Sequence, residues 1–216
     1  EIIDEDNPTT EDHQVRIEVH RAGINFADLM MRQGLYGAAP DFPFTPGYEI
    51  SGVVSELGAS VNDFSVGDRV VALPGFGGYA EQVVVDSNRV WPLPESVSFD
   101  AAAAMPVTYL TAHHMLVHLG NFRAGDSILV HHAAGGVGTA TAQLAKALEA
   151  GTVYGTASAN KADFVEAQGM IHIPRGEDFV KRIKEDNGGV HHALDPVGGK
   201  HVMDSYRALR NGGRLY

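Results

Sequence analysis

The 216-residue sequence contains no cysteine, which excludes disulfides, thiolate catalysis and every zinc site that uses a sulfur ligand. Positive charge is scarce: 16 Lys and Arg stand against 27 Asp and Glu, a formal net charge of −11 with histidine neutral. That balance opposes long-range attraction to nucleic acid or to an anionic membrane, so the expected partner is a small molecule and not a nucleic acid. Long apolar runs are missing too. The most apolar stretch, residues 101–119, is interrupted by Pro106 and by His113, His114 and His118. It falls short of the roughly 18 clean residues a span needs, and no integral membrane segment is expected. The acidic opening EIIDEDNPTTEDHQ lacks the basic and then apolar regions of a signal peptide, which points to a cytoplasmic protein. Neither a Gly-x-Ser-x-Gly elbow nor a Walker phosphate loop occurs, so acyl hydrolysis and phosphoryl transfer have no support.

What is present falls into two grammars. Up to about Leu93 the chain reads as short strands and loops, beginning with Val15, Ile17 and Val19 alternating against Arg16, Glu18 and His20, the pattern of a half-buried strand. Residues 50–57, 69–73 and 80–85 are further strand candidates, and only 26–32 suggests a helix in this half. Residues 100–119, rich in Ala, Leu and Met, are expected to be helical on either side of Pro106. From Ser127 strand and helix alternate: SILVHH, a helix from Val137 stopped by Gly151, TVYGTA, a helix ending at Gly169, MIHIP, a helix over 178–187, HHALD, a helix carrying Val202, Met203, Tyr206 and Leu209 on one face, and GRLY. This alternation implies a parallel, nucleotide-binding type of sheet. We place the boundary at 107, giving domains 1–107 and 108–216. The last strand stops after four residues with nothing to carry the chain to a sixth strand, so a truncated chain is expected.

The clearest chemical signal is HHAAGGVG at 131–138, which follows a predicted strand and opens a helix. Gly135 would let the backbone approach a pyrophosphate, Gly138 would allow close helix packing, and the helix N-terminus would offer free amides to the phosphates. Ala133 replaces the first glycine of the dinucleotide fingerprint. A plain tight turn is the competing reading of a lone glycine pattern, and the successive βα units weigh against it. At the end of the second strand, where NAD-specific proteins usually carry an acid for the ribose 2′-hydroxyl, the chain reads Gly155-Thr156-Ala157-Ser158. With no acid there, and with Ser158 and Lys161 able to donate to a 2′-phosphate, NADPH fits better than NADH. The alternative is that Ser158 or Asn160 caps a helix and Lys161 is solvated.

In the first half Asn25, Asp28 and Arg32 would share a helix face, with Tyr36 just beyond. From spacing alone this is either a cleft lining or an ordinary amphipathic surface turn. The adjacent histidine pairs 113–114, 131–132 and 191–192 diverge and chelate poorly. His114 and His118 stand four apart without the glutamate of a His-Glu-x-x-His motif, and structural or surface roles are expected for them.

The segments AGINFADLMMRQGLY, FTPGYEISGVV, VGDRVVAL, GGYAEQVVV, AAAAMPVTYLTAHHML, ILVHHAAGGVGTATAQLAKAL and DPVGG follow the order seen in the medium-chain dehydrogenase/reductase superfamily. The chain resembles its zinc-independent quinone oxidoreductase branch over nearly its whole length. GINFADLMMRQGLY, HHAAGGVG and VYGTASANK are particularly similar to the group of vesicle amine transport relatives, and enoyl reductase domains of polyketide synthases also look similar. The resemblance implies an α/β protein with a GroES-like, β-rich catalytic domain and a Rossmann doubly wound parallel-sheet domain, incomplete at both ends, with substrate and nicotinamide between them. By motif match, Asn25 and Tyr36 would face the nicotinamide and substrate, Asp28 would support them, and Thr108 would contact the cofactor. Gly135, Gly136 and Val137 would hold the pyrophosphate, and Ser158 with Lys161 the 2′-phosphate. Met30 stands where some quinone reductases carry a second tyrosine, so the proton would come from Tyr36 or from solvent. Gly47-Tyr48-Glu49 replaces the Gly-His-Glu of zinc members, and with no cysteine no metal is expected.

The resulting expectation is a homodimeric, NADPH-dependent, zinc-independent oxidoreductase that passes hydride to a quinone or to an α,β-unsaturated carbonyl compound. An enoyl-thioester reductase is the nearest enzymatic alternative, and a non-catalytic NADPH-binding interaction protein is the alternative from another class.

Overall fold

The computed structural model describes residues 2–199 and 201–216. The chain divides into two compact units, one running to Val107 and the other from Thr108 to Tyr216. In the first, the alternation of apolar and polar residues produces β1 (Gln14–Ala22), with Val15 and Ile17 fully buried. After α1 (Phe26–Arg32) come β2 (Ile50–Leu57), β3 (Arg69–Ala72), β4 (Gln82–Asp86) and β5 (Val90–Pro92). They form one antiparallel sheet in the order β4-β1-β2-β3-β5. Val15, Ile17, Ile50, Val54, Val70, Val83 and Val85 meet on its inner side, so the β-branched residues that favour strands also make the core. The short helix α2 (Phe99–Ala103) starts at Ser98, whose hydroxyl accepts from Ala101 N–H at 3.2 Å.

Pro106 opens α3 (Pro106–His113), a position where the missing N–H costs nothing. Helix therefore lies on both sides of the proline step, but the second stretch does not continue as an α-helix: His114–Leu119 winds more widely, as a π-helix. The strand–helix alternation that follows is β6 (Ile128–His131), α4 (Gly136–Ala147), β7 (Val153–Ala157), α5 (Ala162–Ala167), β8 (Ile171–Pro174), α6 (Phe179–Asn187), β9 (Val190–Leu194), α7 (His201–Ala208) and β10 (Leu209–Leu215). All neighbouring strands are parallel and the order is β10-β9-β6-β7-β8. The direction of winding reverses between β6 and β9, the switch point at which such sheets bind ligands beyond their strand C-termini. Ile128 and Val130 face one core layer and Leu129 the other, so this sheet is buried on both faces.

One expectation fails at the end of the chain, for Leu209. Val202, Met203 and Tyr206 lie on α7 and are 37%, 55% and 63% exposed, while α7 turns Ser205 and Ala208 inward. The reason is polar, because the Ser205 hydroxyl is bonded to two partners beneath it. Leu209 is not on that helix but opens β10, which is longer than GRLY and breaks register between Leu209 and Arg214. Among the described residues no helix is long and apolar enough to cross a membrane.

Candidate functional site

The polar cluster of the first unit is built where β1 hands over to α1. Asn25, in extended backbone, caps the helix, and the Asp28 carboxylate accepts from its backbone N–H at 2.8 Å. The other Asp28 oxygen accepts from Gly47 N–H at 3.3 Å, tying the helix start to the loop before β2. The Asn25 side chain points elsewhere: its Nδ2 donates to Glu49 Oε1 at 2.8 Å, and Glu49 Oε2 accepts from Val107 N–H at 2.8 Å. Asp28 and Glu49 are each only 1% exposed. Burial pushes the Glu49 carboxyl above its ordinary range, partly offset by the Val107 and Asn25 hydrogen bonds and reinforced by Asp28.

Of the four residues picked out on this segment, Asn25 and Asp28 come together and Tyr36 lies one ring away. Tyr36 meets Tyr48 edge to face at 6.2 Å, and Tyr48 in turn packs on Phe76 at 5.4 Å. Arg32 is exposed and takes no part, because the face shared at 25, 28 and 32 turns outward by the last turn of the helix. Sequence reasoning missed Glu49, Tyr48 and Tyr79 as members. Burial, and then the charge of Asp28 and its hydrogen bond, raises the Tyr79 phenol, while burial and the Tyr36 contact raise Tyr48, so both stay protonated at neutral pH. The available signal was a glutamate inside the apolar run that begins β2, which was weighed only as a metal ligand.

In the second unit the glycine-rich turn follows β6 directly. His132 sits at φ 54° and its carbonyl accepts from Gly135 N–H at 2.8 Å, closing a tight turn that ends with Gly135 as the cap of α4. A Cβ on Gly138 would lie 2.5–2.6 Å from the Ala133 backbone, and one on Gly136 would lie 2.8 Å from Thr108 Cγ2. The glycines are therefore demanded by close packing, and the N-terminal amides of α4 are left to an outside acceptor. Ser158 caps a short 3-10 turn (Ala159–Lys161) through its backbone carbonyl only, its side chain making no capping bond, and Lys161 is exposed. A cavity of about 900 Å³ opens at the strand C-termini of this unit, lined by His131, His132, Thr156, Pro174, Arg175 and Val197 among others. Arg175, directly after β8, is a further cation that the sequence reading passed over.

These features fit a dinucleotide phosphate: a turn without side-chain bulk, free helix-end amides, no acid at the end of β7, and cations on Lys161 and Arg175. They do not fit a zinc ion. The chain has no cysteine, and among the described residues no group of three or more His, Asp or Glu is arranged to hold a metal. His114 and His118 stack ring on ring at 4.9 Å.

Residues 11–95 match the alcohol dehydrogenase GroES-like domain and residues 136–216 match the family of zinc-binding dehydrogenases. The chain is 43% identical over 211 residues to the synaptic vesicle membrane protein VAT-1 homolog of Danio rerio, covering 96% of itself and 44% of that protein. Among solved structures it is similar to the Escherichia coli quinone oxidoreductase complexed with NADPH, with a TM-score of 0.89, 34% identity and coverage of 98% and 66%. It is also similar to the CurK enoyl reductase, with a TM-score of 0.90, 31% identity and coverage of 100% and 68%. The chain spans about half the length of the VAT-1 homologues it matches.

Proposed function

Since the chain belongs to the medium-chain dehydrogenase/reductase superfamily, we propose that it forms part of an NADPH-dependent, zinc-independent reductase acting on a quinone or an α,β-unsaturated carbonyl compound. The observation that carries this reading is the open, glycine-bounded turn at 132–138 ahead of an acid-free β7 end. In it, the backbone amides of Gly136 and Val137 hold the pyrophosphate over the bare Gly135, whose own N–H is taken by the His132 carbonyl, Thr108 lies beside the cofactor, and Ser158 with Lys161 holds the 2′-phosphate. The bound dinucleotide supplies a hydride. By the family's motif match, the Asn25 amide donates to the acceptor oxygen as negative charge develops there. Asp28 holds the Asn25 backbone and Glu49 holds its side chain. The balancing proton comes from the Tyr36 hydroxyl or from solvent. The family also leads us to propose a homodimer in the cytoplasm.

The experiment is oxidation of NADPH, with NADH in parallel, by the whole protein against quinones, enals and enoyl-CoA esters. Turnover on quinones or enals with a preference for NADPH supports the proposal; preference for enoyl esters moves it to thioester reduction, the activity named for the CurK neighbour. Tight NADPH binding with no oxidation across the panel favours a binding protein, a reading kept in view by the vesicle-protein relatives.

A further inference from the structure

Four polar side chains, buried Thr156, His131 and Ser205 and half-buried Asp195, form one line beside the cavity of the second unit. At its far end Asp195 Oδ1 accepts from the N–H groups of Val197 and Gly198 at 2.9 and 3.0 Å, and Oδ2 accepts from Ser205 Oγ at 2.6 Å. Burial pushes the Asp195 carboxyl up, but the hydrogen bonds from Ser205, Gly198 and Val197 outweigh it and hold the group below its ordinary range. At neutral pH it is ionised and can only accept. The Ser205 proton is thereby committed to Asp195, so Ser205 Oγ must accept from His131 Nε2, 3.0 Å away. Burial also drives His131 below its usual pKa, against the pull of Asp195, leaving a neutral ring with a single N–H. With that proton on Nε2, Nδ1 is an acceptor, and the Thr156 hydroxyl at 2.7 Å must donate to it. Thr156 lines the cavity. Its one proton is used inward, so a group approaching this hydroxyl from the cavity meets lone pairs only.

We propose that this line selects the base of the bound nucleotide: Thr156 is a specificity-determining acceptor for the exocyclic amino group of adenine, and His131, Ser205 and Asp195 are positioning residues that keep it an acceptor. The inference rests on the NADPH reading above and adds to it a choice of base. Pro174 and Val197 in the cavity wall offer apolar surface to a flat ring. A ribose hydroxyl can donate or accept and would not discriminate. A hypoxanthine carbonyl in place of the amino group would set lone pair against lone pair, at the cost of an unsatisfied buried acceptor.

The test is calorimetric titration of the whole protein with NADPH and with its hypoxanthine counterpart, deamino-NADPH, without acceptor substrate. The protein is expected to bind NADPH roughly tenfold more tightly than deamino-NADPH. In Ser205→Ala the His131 proton is free to move to Nδ1, Thr156 becomes able to donate outward, and the preference should shrink or reverse. Thr156→Val, close to isosteric, should abolish the preference by weakening NADPH alone. Equal affinity of the unaltered protein for both dinucleotides, or parallel weakening of both in the variants, would overturn base selection while leaving the NADPH reading intact. Failure of the unaltered protein to bind either would defeat the NADPH reading and this inference with it.

Discussion

The Asn25 cluster of the first unit and the glycine-rich turn of the second treat their polar groups in opposite ways. In the first, Asn25, Asp28 and Glu49 spend most of their hydrogen-bonding capacity on one another and on the backbone of Gly47 and Val107. In the second, the turn at 132–138 holds its donors back: glycines keep side-chain bulk away and the first amides of α4 have no partner within the helix. A network satisfied from within positions a few groups with precision, whereas an unsatisfied turn is built to be completed by a ligand. The same contrast appears in the carboxylates. Glu49 is raised mainly by burial, while Asp195, also desolvated, is lowered by the donors that surround it.

The largest expected effect separates the two directly. Asn25→Ala should lower turnover about a hundredfold, the scale for removing one donor to a developing oxyanion, while NADPH affinity measured by calorimetry stays within about a factor of two. If turnover is unchanged, Asn25 is not part of the chemistry. Gly138→Ala should do the reverse. Its Cβ would meet the Ala133 backbone, so the turn must move, at about 1–3 kcal/mol; melting temperature and NADPH affinity should fall together. Retention of both would show that the turn tolerates bulk.

Lys161→Ala is a smaller change that sharpens the reading of the β7 end. NADPH binding should weaken roughly tenfold with NADH little affected, and equal loss for both would remove Lys161 from the 2′-phosphate. Smallest is the pH dependence. The folded Glu49 carboxyl binds its proton more tightly than the free one, so its contribution is complete below the ordinary value of 4.5 and is lost as pH rises through the higher folded value. The melting temperature of the unaltered protein relative to Glu49→Gln should therefore fall as pH is raised across that range. Asp195 has the opposite sign: its contribution is present above 3.8 and is lost as pH falls through the lower folded value. Relative to Asp195→Asn, the protein should lose stability on acidification. Matching slopes for the two pairs would contradict the contrast between the units.

Much of this was legible locally. The alternation at 15–19 identifies β1, the proline at 106 opens a helix, and a strand running into Ala133-x-Gly135-x-x-Gly138 marks a turn before α4. Asp28 could be placed near Asn25 because three residues on a helix are neighbours. Helical spacing put Val202, Met203 and Tyr206 on one side of α7 but could not show that this side faces outward, nor that the helix ends before Leu209. Glu49 lies 24 positions from Asn25 and 58 from Val107, and the line from Thr156 through His131 and Ser205 to Asp195 joins β7, β6, α7 and the loop after β9.

The sequence by itself determined the two architectures, the phosphate turn and the absence of an acid at the end of β7, since each follows from residues within a few positions of one another. Which carboxylates are buried, which hydroxyl holds which proton, and which polar groups stand together were decided only by the tertiary structure. Those properties depend on desolvation and on hydrogen bonds between residues far apart in the chain, and no local pattern encodes either.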